Sequence, residues 1–108
     1  MSQSVVTLDE TTYQQALAND GLVAVRLWAN WCMPCRMMAP IYQEVAEKMA
    51  HDTVVFGEVD IDRYPSIAAQ LGVRSIPTVV LFKNGQEVTR SAGLMPAPQL
   101  TDMVATYR

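Results

Sequence analysis

The stretch from Leu22 to Ala29 is a near-continuous apolar run broken only by Arg26. A strand with one face in water alternates apolar and polar residues, whereas a run without alternation reads as a strand buried on both faces. Such a strand needs a layer above it and a layer below it. The other segments supply candidates for both. Asp9 precedes a short periodic stretch with Tyr13, Ala16 and Leu17 on one side, which predicts a helix capped by Asp9 and ending near Asn19-Asp20-Gly21. After the buried run, Met38, Ile41, Val45 and Met49 recur at helical spacing in a long helix, with Pro40 inside it as an expected kink.

Thr53 to Asp60 reads as a second buried strand, and Ser66 to Leu71 as a short helix closed by Gly72. Thr78 to Lys83 and Gln86 to Ala92 read as strands joined by the hairpin signal Asn84-Gly85. Leu100, Met103, Val104 and Tyr107 form the stripe of a last helix that opens near Pro98. With Val5 to Leu8 as an edge strand, the order is β-α-β-α-β-α-β-β-α. That order predicts an α/β fold with a mixed sheet covered by helices, in a single domain spanning residues 1–108.

Half of the residues are hydrophobic, 18% are charged and the net charge is −3, which suits a globular domain with its own core. Lys and Arg are scattered without a basic stripe, so neither nucleic acid nor an anionic membrane is expected as a partner. Met1 to Glu10 lacks a basic region followed by a long apolar run, and no apolar stretch reaches the length of a bilayer span. The expected compartment is a reducing cytoplasm, where a Cys-x-x-Cys is more often catalytic or metal-binding than structural.

The chain has two cysteines, Cys32 and Cys35, between the buried strand and the long helix. A bond between them would close a very small loop and add little to folding stability. Zinc normally takes four ligands, and with one His and no further Cys the chain offers no self-contained zinc site. Soft Cu(I) binding with nearby methionines is a minor alternative. The start of a helix presents free N–H groups and partial positive charge, both of which favour a thiolate at Cys32. The thiolate is the nucleophile of disulfide exchange, and Cys35, one helical turn further on, is placed to attack the resulting mixed disulfide. Pro34 costs nothing in a first turn where donors are unpaired anyway.

The run Leu27-Trp28-Ala29-Asn30-Trp31-Cys32-Met33-Pro34-Cys35-Arg36 closely resembles the active-site segment of thioredoxins. Ala39-Pro40, Asp60-Ile61-Asp62, Ser75-Ile76-Pro77-Thr78, Phe82-Lys83-Asn84-Gly85 and Gly93 fall where that family has counterparts, so the resemblance spans essentially the whole chain. It implies a thioredoxin-like fold and a protein-disulfide reductase, with Cys32 attacking and Cys35 resolving. It also implies a cis-proline at Pro77, with the backbone of Ile76 offered to an extended substrate segment. Trp31, Gly93 and Leu94 would edge the docking surface, and Trp28 would pack beneath the active-site loop. The implied partners are disulfide-containing proteins and a reductase-type electron donor. The protein would act as a monomer, with no cofactor beyond the redox-active cysteine pair.

Three positions depart from the family pattern. Met33 stands where glycine is usual and adds a flexible apolar side chain beside the nucleophile. Arg26 stands where a buried aspartate, regarded as proton acceptor for the buried cysteine, is usual, and arginine cannot take that role. Glu58 stands where lysine is frequent, so the two charges read as exchanged and are expected to form an inverted ion pair beneath the site. The alternative is an Arg26 that extends to solvent. With no aspartate at position 26, Glu58 would be the remaining carboxylate for proton transfer, and an Arg26 near the site would favour the thiolate and make the disulfide more oxidising.

Of the other residues, Met38 is expected in the core. Met33 and Met95 are expected in a soft apolar rim or in simple packing. His51, Asp60 and Asp62 read as solvated loop residues. A redox-independent binding module or chaperone-like subunit is the competing function from another class. Within the enzyme class, an oxidase or isomerase is the other reading.

Overall fold

The computed structural model describes residues 4–49 and 53–108, so His51 lies outside the described residues. In chain order they form β1 (Val5–Thr7), α1 (Glu10–Leu17), β2 (Leu22–Trp28), α2 (Met33–Met49), β3 (Val54–Asp60), α3 (Pro65–Leu71), β4 (Thr78–Lys83), β5 (Gln86–Ala92) and α4 (Ala97–Tyr107). This is the expected order. The sheet runs β1-β3-β2-β4-β5. β2 is parallel to β3 and antiparallel to β4, which makes the sheet mixed and places β2 at its centre.

The central position accounts for the apolar run. Successive side chains on a strand point to opposite faces. Leu22 and Ala24 of β2 pack with Phe56, Val79 and Leu81 under Met38, Tyr42 and Val45 of α2 and Leu100 and Val104 of α4. Val23, Val25 and Leu27 pack on the other face with Val59, Val80 and Phe82, against Tyr13 of α1 and Ile67 of α3. By the same alternation Arg26 and Trp28 fall on the α2 side, behind the helix that begins at the cysteines.

Local signals fix the element ends. The Asp9 carboxylate accepts the Thr12 N–H at 2.8 Å, and the Thr12 hydroxyl oxygen accepts the Asp9 N–H at 2.8 Å. This reciprocal pair satisfies two donors that the first turn of α1 would otherwise leave open. Asn84 and Gly85 both take positive φ, 53° and 80°, the conformation that a two-residue hairpin with native twist requires. The Asn84 side-chain oxygen also accepts the Gly21 N–H at 3.2 Å, which ties the hairpin to the start of β2.

Three details differ from the sequence expectation. β3 begins at Val54, because Thr53 adopts a left-handed φ of 61° and turns the chain instead of extending it. β1 ends at Thr7, and Leu8 leaves the strand to enter the core. Tyr42, absent from the expected α2 stripe, is fully buried, whereas Ile41 beside it is only half-buried. Among the described residues, no helix is long and apolar enough to cross a membrane.

Candidate active site

β2 delivers Trp28 and Ala29 to its C-terminal edge, and the chain turns directly into α2. Cys32 sits where the helix is capped. Its carbonyl oxygen accepts the Arg36 N–H at 3.1 Å, and its Sγ accepts the Cys35 N–H at 3.2 Å. The sulfur thus occupies the place of a capping side-chain oxygen, facing the positive end of the helix. Cys32 and Cys35 are joined by a disulfide with their Cα atoms 5.2 Å apart. They are unequally reachable: Cys32 is 6% exposed and Cys35 only 1%. Among the described residues, no group of His, Cys, Asp and Glu is arranged to hold a metal ion.

Two loops close against Cys32. The Ile76–Pro77 peptide bond is cis, and the Ile76 carbonyl oxygen lies 3.7 Å from Cys32 Sγ. The Gly93 N–H donates to the Pro77 carbonyl at 2.7 Å, so the segment after β5 is tied to the segment before β4. Gly93 has a φ of 97°, a conformation open to glycine. Trp28, Ile61 and Ile76 pack against the cluster formed by Ala29, Cys32 and Cys35.

Trp31 is 70% exposed but held in place. Its indole N–H donates to the Asp62 carboxylate at 3.0 Å, and the Asp62 N–H donates to the Asp60 carboxylate at 2.9 Å. The Asp60-Ile61-Asp62 loop is therefore more than a pair of solvated acids, because it positions the tryptophan. Met33 and Met37 at the start of α2 and Leu94 after Gly93 are exposed as well, an apolar rim in the segments that flank the site. Met95 is not part of this rim. It is buried at 5% exposure, within the cluster under α2 and α4, because the chain dives into the core there before α4 begins.

Behind the disulfide, Arg26 and Glu58 face each other in the β2–β3 register. The Arg26 guanidinium donates to Glu58 Oε2 at 2.8 Å and to the Cys35 carbonyl at 3.1 Å. Arg26 therefore does not extend to solvent; its side chain is 4% exposed, that of Glu58 23%. The guanidinium carbon lies 5.7 Å from the Trp28 ring centroid and 5.6 Å from that of Tyr42, within the range of cation–π attraction. Burial pushes the Tyr42 hydroxyl far above the ordinary tyrosine range, so it remains a neutral donor, bonded to the Gly57 carbonyl at 2.9 Å. Glu58 also lines a cleft of about 540 Å³ with Thr7, Pro40 and Gln43, and no lining residue of that cleft belongs to the rim around Cys32. Arg26 Nε and Trp28 Nε1 are buried without a hydrogen-bond partner among the described residues.

Among the residues that contact the disulfide or its ion pair, the sequence did not single out Tyr42, nor the role of Asp62. The structure places Cys32, Cys35, Trp28, Trp31, Ile76, Pro77 and Gly93 in one connected site, with Met33, Pro34 and Leu94 on or beside its exposed side and Arg26 and Glu58 behind it.

A family model described as thioredoxin matches residues 4–106. The chain is 42% identical to a thioredoxin of Alicyclobacillus acidocaldarius over 94% of this chain and 96% of that one. It is 41% identical to thioredoxin 1 of a Nostoc species over 99% of each. Among solved structures, the thioredoxin of Malassezia sympodialis (Mala s 13) superposes with a TM-score of 0.89 at 32% identity, covering 98% of this chain and 92% of that one.

Proposed function

Because the chain belongs to the thioredoxin family and is a thiol–disulfide oxidoreductase acting as a disulfide reductase, we propose that it reduces protein disulfides in two exchanges, Cys32 attacking and Cys35 resolving. In the first exchange the Cys32 thiolate attacks one sulfur of the substrate disulfide. The substrate S–S bond breaks, the other sulfur leaves as a thiolate and takes up a proton, and a mixed disulfide forms. In the second, Cys35 loses its proton and attacks Cys32 Sγ. The Cys32–Cys35 bond forms, the remaining substrate sulfur leaves, and two electrons have passed to the substrate. A reductase-type partner then returns the pair to the dithiol. The protein works as a monomer in the cytoplasm, on disulfide-containing proteins, with its own cysteine pair as the redox group.

The observation that supports this assignment of roles is the unequal setting of the two sulfurs. Cys32 caps α2 and keeps an exposed edge, whereas Cys35 is sealed behind it. The other site residues take supporting roles. Ile76 offers backbone groups to an extended substrate segment beside Pro77, and Trp31, Gly93 and Leu94 border it. Met33 and Pro34 shape the first turn of α2, Trp28 backs the loop, and Arg26 with Glu58 sets the charge behind Cys35. No carboxylate occupies position 26, and Glu58, paired with the Arg26 that bonds the Cys35 carbonyl, is the acid assigned to take up the Cys35 proton.

The test uses reduced protein and insulin. Cys35→Ser is expected to lose turnover and accumulate a covalent adduct through Cys32, visible by mass spectrometry. Cys32→Ser is expected to form no adduct. An adduct through Cys35 in Cys32→Ser, at the rate seen for Cys35→Ser, would reverse the roles.

A further inference from the structure

The large apolar side chains most exposed to solvent among the described residues are Val6, Trp31, Met33, Met37 and Leu94. Val6 lies apart on the edge strand β1. The other four fall in the segment around Cys32 or in the loop that follows Gly93. Single exposed apolar residues need no explanation, but a contiguous group marks an interaction site. Trp31 and Leu94 already belong to the docking surface described above. Met33 and Met37 do not follow from it. They are 61% and 55% exposed and stand one helical turn apart on the same face of α2. Neither contributes to the clusters that stabilise the fold.

We infer that the docking surface continues along α2 as an arm made by Met33 and Met37, and that this arm receives extended, locally unfolded segments carrying an aliphatic or aromatic side chain close to the disulfide cysteine. The inference rests on the reading that Cys32 attacks the substrate, since the arm begins at the residue after it. Continuity with that surface selects the occupant. Four residues of helix span about 6 Å, which matches about two residues of extended chain. The arm therefore reads the first or second residue beside the substrate cysteine. Further along the exposed side, α2 turns polar at Glu44, Glu47 and Lys48, so the apolar strip ends there. Unbranched, polarizable methionines adapt to side chains of different shape, which suits a surface that must accept many sequences. A folded substrate keeps its apolar side chains inside, so the segments that fit are those of opened or misfolded chains.

The experiment compares kcat/KM for two peptide disulfides that differ only in the residues flanking the cysteine, leucine in one and serine in the other. The parent protein is expected to favour the leucine peptide about tenfold, the low end of what apolar contacts discriminate in enzyme sites. Met37→Gln is expected to reduce that preference to about threefold or less, through KM more than kcat. Val6→Gln, which alters another exposed apolar residue, on β1, is expected to keep it. A parent that reduces both peptides without preference, or a Met37→Gln protein that retains the full preference, overturns the arm and leaves the reductase reading intact. Failure of the parent on both peptides would instead remove the reading beneath it. Sedimentation showing a dimer that Met37→Gln dissociates would assign the strip to self-association and equally overturn the proposal.

Discussion

A guanidinium buried behind a disulfide acts on both sulfurs through space. Arg26 donates an N–H to the Cys35 carbonyl, and the partly exposed Glu58 is better screened by water. On this geometry the cation is expected to dominate at the cysteines and to favour the reduced pair. Arg26→Met should therefore make the couple more reducing, and Glu58→Gln should make it more oxidising, because the buried cation loses its compensating charge. Shifts of roughly 30 mV, equivalent to a tenfold change in the exchange equilibrium with glutathione, are the scale expected for each. The opposite signs are the discriminating feature. If the pair served only to brace the strands, both substitutions would move the potential in one direction, and such a result would refute the electrostatic account. This pair was readable from the family resemblance, which places an acid and a base as neighbours at these two positions with their signs exchanged here. Tyr42, which stacks on the same guanidinium, was not, because its neighbour Ile41 fits the apolar stripe equally well on paper.

Among the elements, α1 shows how much a few atoms decide. Hydrogen bonds from the Thr12 backbone N–H first, and then from its hydroxyl, hold the Asp9 carboxyl below its ordinary value of 3.8. A carboxyl whose pKa is lower in the folded chain stabilises the fold at pH above the unfolded value and loses that effect as pH falls through the folded one. Asp9→Ala should therefore melt at a lower temperature than the parent at neutral pH, and the gap should narrow below about pH 4. Thermal melts of both proteins across that range are the check, and a gap that stays constant down to pH 2 would mean that the charge on Asp9 plays no part. The cap, the αL closure of α3 at Gly72 and the Asn84-Gly85 turn were all legible because each is a local preference of the backbone. The start of β3 was not, since nothing in a threonine announces a positive φ. The burial of Met95 was equally hidden, because it depends on where the segment before α4 crosses the sheet.

At the scale of the molecule, the core is divided by the sheet, and the redox site rests on a small cluster of its own beside the two main ones. Leu100 belongs to the α2–α4 side and is fully buried, away from the cysteines. Leu100→Ala should cost about 2–5 kcal/mol, read from the denaturant midpoint. Its insulin-reduction rate under native conditions should match the parent's, and a rate loss in proportion to the stability loss would show that the layers and the site are not separable. The central seat of β2 also bears on how the protein comes into being. A chain extended on the ribosome only to the end of α2 already holds both cysteines, yet β2 then lacks both of its neighbours, and Glu58, Ile76 and Gly93 have not been made. Its site depends on pairings between segments distant in sequence, which form late. In such an incomplete chain α2 and Arg26 are present but not packed against a sheet, and the Glu58 and Ile76 that flank the site are missing, so nothing lowers the thiol pKa below its free value. Competence for rapid exchange is therefore expected only with the finished sheet, and until then the two cysteines react no faster than ordinary thiols on other emerging chains.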